Sequence, residues 1–378
     1  MAMHSAANAA VQQVLDRLVA DGAEIGVQVA AYLHGEPVVD AWAGLADPQT
    51  ARAVDGGTLF NVYSVTKGVA ATALHVQAER GLVDYDSPVA RYWPEYGACG
   101  KAAVTVRDAL SHRTGTPQMP AGATPDSICD WDATCAGIAA LEPIFPVGQP
   151  AYQAVSFGWV IGEIVRRTDP KGRGFRDFVL QEICEPYGIA DLWIGIPDAV
   201  EPRVARLIDD LGQKPPPPGT ALEQAMPFAV RLAPDVFELP QVRRAAIAGV
   251  GGIFTARSLA RFYAILANGG ELDGKRLLSR ARVQECCHMR PGGTLPDPVF
   301  FGMPMPLSQG GFWMDDGQCP LTRAYGSHTA IGNPGAGGSL GWADPRTGLA
   351  VGYCHNRMSA FDGAGLVGEA IRSALAIR

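Results

Sequence analysis

The segment NVYSVTKGVA (residues 61–70) opens a long apolar run, SVTKGVAATALHVQAERG (64–81), which Gly81 closes as a C-terminal cap. The run has helical spacing and is apolar on most sides, which is the pattern of a buried helix. Ser64 and Lys67 stand three positions apart at its start. The chain has 13 serines and five lysines, so chance placement gives about 0.2 Ser-x-x-Lys matches, and one is present. An ordinary reading makes Ser64 an N-cap and Lys67 a solvated residue of the first turn. Two considerations weigh against it. A cation in the first turn opposes the helix dipole, and an ammonium is costly on a buried helix unless it has a task. Residues three apart share a helix face, so Lys67 Nζ can reach Ser64 Oγ. Burial lowers a lysine pKa and lets the amine accept a proton. Backbone N–H groups at the helix start, that of Ser64 included, then face developing negative charge. The motif alone leaves two readings open, a capped first turn and a nucleophile with its activating amine.

Outward from this helix, VQQVLDRLVADGAE near the N-terminus places Val11, Val14, Leu15, Leu18 and Val19 on one helical face. IGVQVAAYLHG (25–35) and EPVVDAWAGLAD (36–47) read as a β-hairpin turning at His34-Gly35-Glu36. SFGWVIGEIVRR (156–167), FRDFVLQEICEPYG (175–188) and RSLARFYAILANGG (257–270) are helical, and GQKPPPPGT (212–220) is an extended loop. Residues 337–344 and 348–358 read as two strands joined at Pro345-Arg346-Thr347, followed by a last helix over 365–378. Strands at both ends and helices in the middle predict an α+β fold. One antiparallel sheet is built from both termini and covered by helices (1–85 and 245–378), and a mostly helical domain is inserted between them (86–244). The site is expected at their interface.

Composition narrows the function. The 378 residues are 47% hydrophobic and 18% charged, with 45 glycines, 29 prolines and a net charge of −7. This is a globular balance. Without clustered Lys and Arg, the chain is expected to bind neither nucleic acid nor an anionic membrane surface. Runs such as AAIAGVGGIF (245–254) fall short of the roughly 20 residues a membrane helix needs. The charges Asp16, Arg17 and Asp21 break any signal-peptide core, so a cytoplasmic location is expected. The eight cysteines (99, 129, 135, 184, 286, 287, 319 and 354) form no Cys-x-x-Cys pair and no zinc spacing with histidine. No metal or organic cofactor is expected.

Several ordered segments extend the reading: FNVYSVTKG (60–68), GLVDYDSPVARYWPEY (81–96), VTVRDALSHRTGTP (104–117), YQAVSFGWVIGEIVRR (152–167) and GAGGSLGWADP (335–345). Together they resemble the serine β-lactamase-like superfamily over nearly the whole chain, and most of all its family VIII carboxylesterases, relatives of class C β-lactamases and D,D-peptidases. The resemblance implies a β-lactamase/transpeptidase-like fold. It implies that Tyr152 faces Ser64 as a general base, with Lys67 beside it. It maps the family's Lys-Thr-Gly strand onto Asn333-Pro334-Gly335, so that the N–H of Ala336 joins that of Ser64 in an oxyanion hole. Gly335 would let backbone approach the substrate closely. His112 has a family equivalent expected to bond backbone, and His328 could line the cleft.

Two positions depart from the β-lactamase pattern. Ala154 stands where Tyr-x-Asn has its amide, and Asn333 where Lys-Thr-Gly has its lysine. Both are expected to face substrate. The lost cation is worth on the order of 1.5–3 kcal/mol toward a substrate carboxylate, so the expected substrate is an uncharged small-molecule ester of a short-chain carboxylic acid, cleaved through an acyl-enzyme on Ser64. The rivals are a β-lactamase, a D,D-peptidase or amidase, an acyltransferase with the same apparatus, or a silent scaffold. GGSLG (337–341), with Asp344 and His355 behind it, imitates an α/β-hydrolase nucleophile elbow. That motif needs a strand before its serine and a helix after it. Ser339 instead sits within a strand pattern, so it is not expected to be the nucleophile. Oligomeric state is not legible.

Overall fold

The hairpin read from residues 25–47 forms two neighbouring strands of the main sheet. The computed structural model describes residues 4–377. Helix α1 (Ser5–Ala20) precedes β1 (Gly26–Leu33) and β2 (Glu36–Asp47), which pair antiparallel with Leu33 opposite Glu36. The short β3 (Arg52–Ala53) lies beyond β2. After β4 (Phe60–Tyr63) comes α2 (Thr66–Glu79), and the helical middle of the chain holds α3 (Phe157–Thr168) and a short strand, β5 (Leu192–Ile194). Then follow β6 (Gly252–Phe254), α4 (Ala256–Ala267), β7 (Trp313–Met314), β8 (Ile331–Pro334), β9 (Leu340–Asp344), β10 (Leu349–His355) and α5 (Gly363–Ala374).

Seven strands form one antiparallel sheet in the order β7-β8-β9-β10-β1-β2-β3, so both ends of the chain meet at the β10–β1 pair. Side chains alternate across it with the strand period of two. Val27, Val29, Ala31, Val351 and Tyr353 pack under α1 and α5, together with Val11, Leu15, Val367 and Ile371. Ala30, Ala350 and Cys354 face the opposite way, into the core that holds Leu259 and Tyr263 of α4. β10 is buried along its whole length, as befits a strand covered on both faces.

A second sheet, β4-β6-β5, lies beside the first and carries the start of α2. Every residue of α2 from Thr66 to Ala78 is buried, and α3 packs along it. The chain between β4 and β6 is mostly helical, and residues 212–220 have no regular structure, as their proline run requires. Among the described residues no helix is long and apolar enough to cross a membrane.

Candidate active site

Ser64 sits where β4 turns into α2. The turn is sharp: Tyr63 has φ +46°, a conformation a bulky residue adopts only when its surroundings impose it. They do so here. Tyr63 pairs with Gly252 across the β4–β6 ladder. Thr66 Oγ1 donates to the Tyr63 carbonyl (2.5 Å) and accepts from the Gly252 N–H (2.8 Å). The result places Ser64 at the mouth of a buried helix, 8% exposed.

Lys67 is fully buried. Its Nζ donates to the carbonyls of Ala154 (2.7 Å) and Gly249 (3.1 Å) and to Ser64 Oγ (3.0 Å). Among the described residues no carboxylate pairs with it, and burial lowers its pKa to about 7. The two carbonyls fix two of the amine's three free directions. The third, an N–H when the amine is charged and a lone pair when it is neutral, is aimed at the Ser64 hydroxyl. Close backbone packing sets this up. A Cβ on Gly158 of α3 would lie 1.9 Å from the Gly249 nitrogen, so only glycine lets the Gly249 carbonyl come within reach of Lys67.

Tyr152 is held by its neighbours on every side. The His112 carbonyl accepts from the Ala151 N–H (2.9 Å), His112 Nδ1 accepts from the Gln153 N–H (3.0 Å), and Asp297 Oδ2 accepts from the N–H of Tyr152 itself (2.9 Å). The His112 ring stacks between Tyr152 and Phe157, at 4.5 Å from each. Phe300 and Trp313 meet the Tyr152 ring edge-on at 5.7 Å, and Lys67 Nζ lies 5.5 Å from its centroid. Burial pushes the phenol pKa up to about 12, and the nearby Trp313 and Ser64 side chains pull it the other way. At neutral pH the hydroxyl keeps its proton.

The N–H groups of Ser64 and Ala336 bond to no acceptor among the described residues, which leaves both free for an oxyanion. Gly335 brings the two segments together: its N–H donates to the Ser339 carbonyl (2.7 Å), and a Cβ there would lie 2.3 Å from the Val62 carbonyl oxygen. The close approach this glycine permits is to β4, in addition to its place in the cavity wall. A cavity of about 580 Å³ opens from Ser64, Tyr152, Ala154, Gly335 and Ala336.

Asn333 requires a correction. Its side chain was expected to touch substrate, but it is 1% exposed and lies outside the cavity lining. Its Oδ1 accepts from the Tyr263 hydroxyl (3.3 Å), and its Nδ2 faces the Gly311 carbonyl at 3.5 Å. Strand alternation turns it away while its neighbour Pro334 lines the cavity. Ala154 is in the cavity lining, and its carbonyl holds Lys67. The decoy triad does not assemble. Ser339 Oγ accepts from the His355 backbone N–H (3.3 Å), His355 Nδ1 is on Glu24 (2.9 Å), and Asp344 takes the hydroxyls of Thr329 and Thr347. His328 bonds the Asp315 carbonyl and does not line the cavity.

Sequence reasoning missed Trp313, Gly249 and Asp297. The last lies in a proline-rich loop with no periodic signal. Both Asp297 oxygens accept backbone N–H groups, those of Tyr152, Val299 and Phe300. Burial raises its pKa, while these bonds and the buried Arg290 pull it back. Asp297→Ala is expected to cost roughly 3–5 kcal/mol, because it orphans three backbone donors at about 1–3 kcal/mol each. Urea unfolding is the measurement; a loss under about 1 kcal/mol would contradict the assignment.

The profile of the family described as Beta-lactamase matches residues 11–376. Esterase/beta-lactamase LipL of Mycobacterium tuberculosis is 36% identical over 366 residues, which cover 91% of this chain and 80% of that protein. Among solved structures, a family VIII carboxylesterase superposes with a TM-score of 0.88 at 32% identity, over 99% of both chains. A penicillin-binding protein homologue from Caulobacter crescentus gives 0.86 at 34% identity, over 100% of this chain and 99% of that one. The fold is β-lactamase/transpeptidase-like, and the chain belongs to the beta-lactamase family.

Proposed function

We propose that the protein is a carboxylesterase that acts through a covalent acyl-enzyme on Ser64. The observation that carries this reading is the 3.0 Å contact between Ser64 Oγ and a buried lysine whose pKa is lowered to about 7. Esterases among its relatives support the reaction class.

Neutral Lys67 takes the Ser64 proton as Oγ attacks the ester carbonyl carbon. The carbonyl oxygen becomes an oxyanion between the N–H groups of Ser64 and Ala336. The carbon–alkoxide bond then breaks. The Tyr152 O–H gives its proton to the departing oxygen, and the Lys67 ammonium restores the phenol. With its pKa raised by burial, Tyr152 suits a proton donor and relay better than the standing base implied by the family resemblance. Water then attacks the acyl carbonyl carbon as Lys67 takes its proton, the bond to Ser64 Oγ breaks, the proton passes back to Oγ, and the acid is released.

The surroundings of Ser64 favour an uncharged ester. Alanine replaces the amide at 154, and Asn333 is buried under its strand, so neither offers a polar side chain to a substrate carboxylate. On purified enzyme, kcat/KM for p-nitrophenyl butyrate is expected to exceed that for nitrocefin by about tenfold or more. More efficient cleavage of nitrocefin would reverse the substrate ranking.

A further inference from the structure

The catalytic cavity is larger than a short-chain ester needs. Its volume of about 580 Å³ is within the range of pockets that enclose drug-sized ligands. p-Nitrophenyl octanoate, at about nineteen heavy atoms, is nearer that size than the butyrate.

The lining agrees with the size. Past Tyr152 the wall includes Met226, Met303 and Met305, unbranched side chains that adapt to apolar partners of varied shape. The wall then reaches Leu211, Leu321 and Phe361, which are 40%, 43% and 42% exposed. Nine large apolar side chains are exposed among the described residues, and these three share one cavity. Exposed apolar groups gathered at one place mark a contact for apolar matter. Among the described residues the charged groups of the lining are Arg323 and Asp362, close in the chain to the rim residues Leu321 and Phe361, and both also border a neighbouring surface depression.

The geometry points to esters that carry an apolar arm of about eight carbons as the substrate class, with the arm running from Ser64 to the rim formed by Leu211, Leu321 and Phe361. This rests on the esterase reading and replaces the short-chain expectation drawn from the sequence.

The test is a series of p-nitrophenyl acetate, butyrate, hexanoate and octanoate, each below its micelle-forming concentration. Burial of a methylene is worth up to about fourfold. The octanoate is therefore expected to exceed the butyrate in kcat/KM by about tenfold or more. A maximum at acetate or butyrate, with a fall at octanoate, would overturn the inference. In the double variant Leu321→Ser, Phe361→Ser the octanoate-to-acetate ratio of kcat/KM is expected to fall about tenfold. Leu211→Ser repeats that test from a different segment, and ratios unchanged in both variants would equally overturn it. Turnover confined to short esters defeats the chain-length inference alone. No turnover of any ester defeats the esterase reading instead.

Discussion

Ser64→Ala is expected to lower kcat/KM for p-nitrophenyl esters by about 10⁴-fold or more, while Ser339→Ala keeps most of the activity. The asymmetry follows from where the two hydroxyls sit. Ser64 is at the cavity, with an amine 3.0 Å from its oxygen and two unpaired backbone N–H groups where charge would form. Ser339 is buried behind the cavity wall, with the backbone N–H of His355 on its oxygen and, among the described residues, no imidazole or amine bonded to it. Steady-state kinetics on both variants, with thermal melts to show that each is folded, decides between them. Equal losses would return the Gly-x-Ser-x-Gly segment to consideration.

Lys67→Ala should cost about 10³-fold or more, because it removes the acceptor for the Ser64 proton and also the group that holds the Ala154 and Gly249 carbonyls together. The intact enzyme should show the same dependence in its pH profile. The base must be neutral. Burial sets its pKa at about 7, so below that pH the ammonium dominates and kcat/KM falls by about tenfold per unit. Above it, kcat/KM levels off. The effect on stability has a definite sign. The folded pKa lies below the ordinary 10.5, so between about 7 and 10.5 the unfolded chain binds the extra proton. Stability contributed by this residue therefore rises with pH across that window. Urea midpoints of the wild type and Lys67→Met, compared from pH 7 to 10, isolate the difference: the wild type should gain on the variant as pH rises. A flat acid limb through pH 6 would remove Lys67 from the role of base.

How much of this was legible in the sequence depends on distance along the chain. Ser64 and Lys67 could be read directly, since one helical turn joins them. The flanking hairpin and α3 were also legible, because alternation and helical spacing are local signals. β4, β6 and β7 were not: two to four residues give no period, and their strand character comes only from their partners. β8, Ile-Gly-Asn-Pro, reads locally as a turn and is a strand because β7 and β9 flank it. Tyr152 and Ala336 could be placed only through family resemblance, since nothing in their own neighbourhoods points at Ser64.

The resemblance supplied positions but not directions. It put Asn333 in the correct strand, yet the side chain turns toward α2, where Gly68 makes room for it: a Cβ on Gly68 would lie 2.7 Å from the Asn333 oxygen. The clamp on Tyr152 was invisible for another reason. His112 and Asp297 reach it from segments far apart in the chain, and a lone aspartate in a proline-rich loop carries no signal of its partner.

The central claim is that the acyl group passes through Ser64. Acid quenching during turnover of a p-nitrophenyl ester, followed by peptide mass spectrometry, tests it most directly. The account predicts the acyl mass on the peptide containing Ser64, and its absence in Ser64→Ala. An acyl group on Ser339, or an unmodified Ser64 peptide while a burst of p-nitrophenol is observed, would contradict it.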